Sequence, residues 1–289
     1  MTIMQKKITV IGATGLIGVP VTKALLKAGF EVTAMVRNPD KARQIFPAGV
    51  HFIKGDLQKK ADILTAMQSA DGVYINLNAT FMDRESDFNP EREGLDNILE
   101  VLKSTSVKQV GFLSSFLARD YNGEWWVMKM KKAALSKIKN SGLPYTIFYA
   151  ASFMENLENS MRNGKAINTI GKPSSKLSWW IASEDFANQV VRAFSLESAI
   201  NKEYSIQGPK GLTTVDAIKI YITNNCREHL KMANLPMGMA KFLSIFIKPL
   251  KFAVPLIETI NNDREKFEAN KTWEELGKPL ITIETFAKG

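Results

Sequence analysis

The chain is poor in the residues that carry disulfide, metal and triad chemistry. Its 289 residues hold one cysteine, Cys226, and two histidines, His51 and His229. One cysteine makes no internal disulfide, and two histidines argue against a zinc site or a serine–histidine triad, so no metal is expected. No apolar run is long enough to cross a bilayer. Met232 to Ile257 is rich in Met, Phe, Leu and Ile, but Pro236, Pro249 and Pro255 interrupt it and Lys241, Lys248 and Lys251 charge it. Three uses fit that stretch: helical packing over a sheet edge, which is the expectation, an adaptable apolar lid over a hydrophobic substrate, or a peripheral membrane surface. The first β-branched run begins near Lys7, which leaves no room for a signal peptide, so a cytoplasmic location is expected.

The formal net charge of +9 admits an acidic partner, yet the 38 basic residues are spread along the chain. The densest run, KMKKAALSKIK at Lys129 to Lys139, reads as the solvated face of a helix. Neither a nucleic-acid-binding motif nor an aromatic platform accompanies it, so nucleic acid is not an expected partner.

What is present begins at Lys7: KITVIGATGLIGVPVTKALLKAG is a short strand, a turn with glycines at 12, 15 and 18, and an amphipathic helix with Val21, Leu25 and Leu26 at helical spacing. Gly12, Ala13, Thr14, Gly15, Leu16, Ile17 and Gly18 are thus candidates for holding a dinucleotide. Gly12 permits the tight turn, Gly15 removes a side chain where the backbone must approach a pyrophosphate, and Gly18 lets the helix pack closely, its amino end facing the phosphates. About twenty residues past such a turn, a carboxylate usually accepts from the adenosine ribose of NAD. Here that place holds Arg37, followed by Asn38, Lys41 and Arg43. A guanidinium suits a 2′-phosphate, so NADP(H) is preferred over NAD(H).

Strands are predicted at Lys7 to Ile11, Glu31 to Val36, Val50 to Lys54, Gly72 to Asn76, Gln109 to Leu113 and Pro144 to Tyr149, with helices between. The alternation predicts an α/β fold, a doubly wound parallel sheet. Asp56 and Leu57 follow strand three, where Asp56 has two equally good uses, accepting from the adenine amino group or capping the next turn. Leu77, Asn78 and Ala79 follow strand four at the edge that faces a cofactor. Ser114 and Ser115 follow strand five, and either hold a substrate carbonyl or cap a turn. After Tyr149, residues Ala150 to Ser178 read as loop and helix. WWIASEDFANQVVRAF reads as a strand, a Ser183 cap and a helix with Phe186, Val190, Val191 and Phe194 inward; Glu203 to Ile206 read as a last strand, and TTVD at Thr213 starts a helix. Residues 1–149 plus 179–208 therefore form the expected cofactor domain, and 150–178 plus 209–289 a smaller, discontinuous, mainly helical substrate lobe.

GATGLIG, VRNPDKA, KGDL, Ser114-Ser115, SGLPYTIFYAASFMEN and WIASEDFA together resemble the NmrA-like branch of the atypical short-chain dehydrogenase/reductases. The resemblance implies a Rossmann-like fold, a preference for NADP(H), and functions from quinone or double-bond reduction to catalytically silent redox sensing with a protein partner. It aligns Lys131 with the catalytic lysine, which in related enzymes binds the nicotinamide ribose and relays a proton; the alternative is one more solvated charge. For an NADPH-dependent reductase, Phe153 and Met154 are expected near the nicotinamide, and Ser152 is a further cofactor-binding candidate. The tyrosine expected four residues before the lysine is Val127, Tyr121 and Trp125 are out of register, and Leu135 and Tyr149-Ala150 depart from the family's Glu and Arg-Pro. Lys131 and Ser115 remain the catalytic candidates. Hydride transfer to a quinone or similar apolar carbonyl needs mainly positioning, so a missing tyrosine is not fatal to it.

Overall fold

The computed structural model describes residues 6–172, 174–262 and 265–289. Strands alternate with helices through the first half: β1 (Lys7–Ile11), α1 (Gly18–Lys27), β2 (Glu31–Val36), α2 (Pro39–Arg43), β3 (Val50–Lys54), α3 (Lys60–Met67), β4 (Gly72–Ile75), α4 (Leu95–Leu102), β5 (Gln109–Ser115), α5 (Trp126–Lys139) and β6 (Tyr145–Ala150). Then follow β7 (Arg162–Asn163), β8 (Ala166–Ile170), β9 (Ser178–Trp179), α6 (Ser183–Ser195), β10 (Lys202–Ile206), β11 (Gly211–Leu212), α7 (Thr214–Asn224), β12 (Lys231–Leu235), α8 (Met237–Ser244), α9 (Lys248–Asn262), α10 (Asn270–Leu276) and α11 (Ile283–Lys288).

Seven strands form one parallel sheet in the order β10-β6-β5-β4-β1-β2-β3. Its central strands are buried on both faces, as the near-continuous Val, Ile and Phe of β1, β4 and β5 require. One apolar cluster joins α1 and α6 to one face, and a second joins α3, α4 and α5 to the other. This is the doubly wound, Rossmann-like fold. The chain reverses direction across the sheet between β1 and β4, so the crevice at their carboxyl ends is the place where such folds bind ligands.

The remainder differs from expectation in three respects. First, β9 pairs antiparallel with β11 rather than entering the central sheet. Second, residues 150–178 contain the β7–β8 hairpin, and Met232 opens no helix but lies in β12, parallel to β8. Alternation is weak in both segments, and β12 is largely solvent-facing, which hid them from a search for buried faces. Third, Ala182, not Ser183, is the cap of α6. Ser183 sits one residue inside, where its N–H and hydroxyl both donate to Glu155 Oε1. The helix at Thr213 starts as expected, its hydroxyl accepting from Asp216 N at 3.1 Å. Among the described residues, no helix is long and apolar enough to cross a membrane.

Asp185, in the first turn of α6, ties down the carboxyl-terminal segment: its Oδ2 accepts from Leu280 N at 3.0 Å and Ile281 N at 2.8 Å. Burial pushes this carboxyl up, against those two donors. Asp185→Ala is expected to cost about 1–3 kcal/mol by orphaning the amides. Asp185→Asn keeps an accepting oxygen without the charge that burial penalises, so it is expected to stay near wild type. Urea unfolding of the three proteins checks this; equal loss in both variants would show that charge, not acceptance, holds the segment.

Candidate functional site

Because the seven strands run one way, every segment that follows a strand emerges on one edge of the sheet. Gly12 follows β1, Arg37 follows β2, Asp56 follows β3, Leu77 follows β4, Ser114 and Ser115 end β5, and Ser152 and Phe153 follow β6. The candidate residues share this edge by topology alone.

The three glycines of the turn have different reasons. Gly12 has φ +79°, and a Cβ there would lie 1.9 Å from the Asn76 carbonyl oxygen. A Cβ on Gly18 would lie 2.1 Å from the Gly12 oxygen. Both are therefore required by the fold. Gly15 is exposed, lies outside the left-handed region, and a Cβ there would meet only the Gly12 oxygen at 3.4 Å. Nothing within the described chain demands a glycine at 15; open space for an approaching group does. Beyond it, α1 begins at Gly18 with no side-chain cap and no acid in its first turn; Val19 N is taken by the Gly15 carbonyl and Pro20 has no N–H, so this end offers a negative group its dipole more than a row of free donors. Ala13, Ile17 and Gly18 are buried while Thr14, Gly15 and Leu16 present the turn's surface.

Arg37 is exposed and makes no ion pair or hydrogen bond among the described residues. Its neighbours are differently placed. The Asn38 side chain caps α2 by accepting from Lys41 N at 3.1 Å, and Arg43 pairs with Asp40, which leaves Arg37 and Lys41 as the open cations. Asp56 takes the local of its two uses, accepting from Gln58 N at 2.9 Å, while Leu57 packs against the second core cluster. Leu77 and Ala79 are buried and Asn78 is exposed.

The two serines part company. Ser115 accepts from Leu117 N at 3.2 Å and caps the turn after β5, whereas the Ser114 hydroxyl is buried with no partner among the described residues. A buried hydroxyl left unpaired is the more informative of the two. Ser152 gives its carbonyl to Ile181 N, and the Phe153 ring packs edge-on against Phe186. Met154 does not reach the edge: it is buried with Leu157, Trp180 and Tyr221 in a separate core cluster, because the turn Met154–Leu157 directs it inward.

Lys131 is the one lysine of the basic run that α5 turns inward. Lys129, Lys137 and Lys139 pair with Glu124, Asp96 and Glu203 at the surface, and Lys132 donates to the Tyr121 carbonyl. Lys131 Nζ instead donates at 2.7 Å to Oε2 of Glu91, whose side chain is fully buried. The solvated-charge alternative is thereby corrected, since Lys131 is itself buried. Glu91 was not singled out from sequence. It sits in a single turn of π-helix, Pro90–Gly94, closed by Gly94 N donating to the Asn89 carbonyl and capped by Asn89 Oδ1, which accepts from Glu91 N. Burial pushes the Glu91 carboxyl up, and the Lys131 ammonium opposes that without cancelling it. The other oxygen, Oε1, has no partner among the described residues, nor does Asn89 Nδ2. Val127, in the tyrosine place, is buried beside Ala79 and Met130 with Trp125, Trp126 and Phe252.

A cavity of about 520 Å³ lies between the turn after β5 and α9, walled by Leu117, Tyr121, Trp125, Pro255 and Thr259 and bearing the carboxylate of Glu258. The phenol oxygen of Tyr121 accepts from Trp125 N, so it shapes the amino end of α5 rather than standing in for the missing tyrosine.

The turn at Gly12–Gly18, the uncapped α1, the open Arg37 and the orphaned Ser114 hydroxyl fit the phosphates and polar groups of a dinucleotide. Comparison with known proteins agrees with this fold. The NmrA-like family pattern matches residues 4–286. The photosystem II assembly factor Ycf39 of Synechocystis is 22% identical over 246 residues, covering 84% of this chain and 74% of that protein. The NAD(P)H azoreductase of Xenophilus azovorans is 24% identical over 262 residues, covering 86% and 87%. The structure of an NADPH-dependent quinone oxidoreductase from Escherichia coli, complexed with NADPH, superposes with a TM-score of 0.76 at 20% identity, over 97% of this chain and 98% of that one.

The separate reasons for the glycines make a test. Gly15→Val is expected to fold with an unchanged melting temperature and to lose the stabilisation that NADPH confers, about 2.7 kcal/mol at a hundredfold excess over Kd. Gly18→Val is expected to lower the melting temperature even without ligand, because its side chain collides with backbone. Thermal melts with and without NADPH decide; a ligand-induced shift in Gly15→Val equal to wild type would move the phosphate site elsewhere.

Proposed function

Because the chain belongs to the NmrA-like family, we propose that it is an NADPH-dependent oxidoreductase that reduces a quinone or other conjugated carbonyl by direct hydride transfer. The observation that carries this reading is Gly15, a glycine with no intramolecular need to be one, beside an uncapped helix and an unpaired Arg37. Bound NADPH supplies the hydride. The chain's own residues bind and orient: the turn and α1 take the pyrophosphate, Arg37 with Lys41 takes the 2′-phosphate, and Asp56 and Leu57 flank the adenine. Leu77, Asn78, Ala79, Ser114, Ser152 and Phe153 line the nicotinamide half. Residues 1–149 plus 179–208 hold the cofactor, and 150–178 plus 209–289 cover the acceptor, with action in the cytoplasm.

Lys131 has two donors left after Glu91 takes one, and they are directed to the ribose and, through it, to a carbonyl oxygen. Glu91 is a positioning residue, fixing the ammonium without touching the reacting atoms. Val127 has no proton to give, so acceptors that need little proton help are favoured. We assign the acceptor to the cavity at Leu117–Trp125, where Leu117, Tyr121, Trp125 and Pro255 offer apolar and aromatic surface beside Asn122, Thr259 and Asn262, and the carboxylates of Asp120, Glu124 and Glu258 disfavour anionic acceptors. The names of the azoreductase and quinone oxidoreductase relatives support reduction of an extended conjugated acceptor.

A second reading is a catalytically silent NADP(H)-binding protein that regulates a protein partner. Val127 and the locked Glu91–Lys131 pair favour it, as does a relative named as an assembly factor.

Two experiments test these readings, the first the cofactor preference they share and the second the catalysis that separates them. Titration of NADPH and NADH is expected to show tighter NADPH binding, and Arg37→Ala should lose about 1.5–3 kcal/mol of NADPH affinity while leaving NADH unchanged. Equal affinities in wild type would refute the preference, and an unaltered preference in Arg37→Ala would pass the contact to Lys41.

The second experiment is single-turnover NADPH oxidation with a panel of quinones, enals and ketones. Lys131→Met alone strands a buried carboxylate and is expected to cost about 3–5 kcal/mol of stability, so it confounds turnover with folding. The double variant Glu91→Gln, Lys131→Met removes both charges and is expected to remain folded. If Lys131 relays a proton, its turnover falls about 10²–10⁴-fold at saturating cofactor. If positioning alone limits, it falls only in step with cofactor affinity. Tight NADPH binding with no oxidation by any acceptor would leave the regulatory reading in place.

A further inference from the structure

Three of the most exposed apolar side chains of the molecule lie together at the tip of a helical hairpin. Helices α8 and α9 pack on each other, and Lys241 on α8 pairs with Glu258 on α9 at 2.7 Å. Between them the chain turns at Ile245 to Ile247 with its backbone hydrogen-bonded: Ile245 N donates to Phe242 O, Phe246 and Ile247 N to Leu243 O, and Leu250 and Lys251 N to Ile247 O. The tip is thus a folded projection. Phe242, Ile245 and Phe246 are 63%, 71% and 73% exposed, and the two phenylalanine rings touch edge to face. Isolated exposed apolar residues are ordinary, but a contiguous group on one projection marks a surface that is covered in use.

Charge decides what covers it. From His229 to Ile257 the chain carries four lysines, at 231, 241, 248 and 251, and no aspartate or glutamate. Lys248 and Lys251 border the tip and make no ion pair among the described residues. A second copy of this chain would set these lysines against their own kind across a two-fold contact, which costs rather than gains. Apolar side chains exposed at the turn of a hairpin need a matching groove on a protein partner, whereas a bilayer interface yields to any shape. Neither helix is long enough to span a membrane. An apolar face with lysines at its margin is the pattern that lies in the headgroup region of an anionic bilayer.

We infer that the α8–α9 tip docks this protein on an anionic lipid surface, with Phe242, Ile245 and Phe246 entering the headgroup boundary and Lys248 and Lys251 engaging the acidic headgroups. The proposal rests on the hairpin alone and needs neither cofactor nor acceptor, so its failure and that of the oxidoreductase reading are independent.

Flotation of the full chain with vesicles tests it, comparing phosphatidylcholine alone with phosphatidylcholine containing phosphatidylserine, at low and high salt. Binding is expected on the phosphatidylserine vesicles, about 25-fold above neutral ones, and is expected to fall as salt rises. Lys248→Gln, Lys251→Gln should remove most of the preference for anionic vesicles, at about fivefold per lysine. Ile245→Ser, Phe246→Ser should lose binding to both kinds while keeping the wild-type circular dichroism and melting temperature, since neither side chain is in the core. Failure of wild type to float with phosphatidylserine vesicles would overturn the proposal, as would undiminished flotation of the serine variant. Size exclusion is run in parallel: a wild-type dimer that the serine variant dissolves, without vesicle binding, would assign the tip to a second copy instead.

Discussion

The close approach of three backbone segments at the centre of the sheet governs the rest of the molecule. The turn leaving β1 passes against the end of β4, with Gly12 pressed on the Asn76 carbonyl, and α1 starts against that same turn, with Gly18 pressed on the Gly12 carbonyl. Only residues without a Cβ permit either contact. This crossing sets α1 on one face of the sheet, brings the ends of β1 and β4 together at the point of reversal, and leaves Gly15 on the outer side of the turn. Parallel strand direction then delivers the other candidate residues to the same edge. A side chain at Gly12 or Gly18 would disturb the crossing before it disturbed any ligand, which is why those two glycines say little about function and the one at 15 says much.

The second organising element is the buried pair of Glu91 and Lys131. Two charges taken out of water repay their desolvation only when they meet closely, and even then an apolar pair of like volume is often as stable. Stability alone is therefore a poor reason for this pair. Its effect is geometric: the ammonium of a long, flexible side chain is held at one place by a carboxylate that is itself held by the π-turn capped by Asn89. One-turn π-helices recur at functional sites because the extra residue shifts a side chain out of the helical register. Here the shifted residue is the one that meets the lysine.

The sheet was legible because its signals are local. β1, β2 and β3 were predicted to the residue from β-branched runs bounded by turns, and the remaining central strands to within two residues. The strands β8 and β12 were not legible, since a half-exposed, short, polar strand such as KMANL has neither alternation nor a buried run to announce it. The glycine turn and Arg37 could be placed by counting from β1 and β2. Glu91 could not, because its partner lies 40 residues away and its burial depends on tertiary packing of α5 against the π-turn. The nearest local sign was an acid directly after Asn89-Pro90, a helix-start pattern whose acid ordinarily faces the macrodipole and solvent. Met154 failed in the opposite sense: its position after β6 was right, but a side chain's direction within a 3₁₀ turn is not readable from a one-dimensional pattern.

The positive charge of the chain acquires meaning only once its partners are known. Along α5 four of the five lysines are matched by a surface acid or a backbone carbonyl and the fifth by Glu91, so the densest basic run in the sequence is electrostatically spent within the fold. Beside the α8–α9 tip Lys241 is matched by Glu258, while Lys248 and Lys251 make no ion pair among the described residues. Local density of lysine in the sequence therefore points to the wrong surface. What matters is the charge left after pairing, and among the places where it is left are Arg37 and Lys41 on one edge of the sheet and Lys248 and Lys251 beside the most exposed phenylalanines. The first is a point suited to a single phosphate. The second is spread along a helix end and suits a surface.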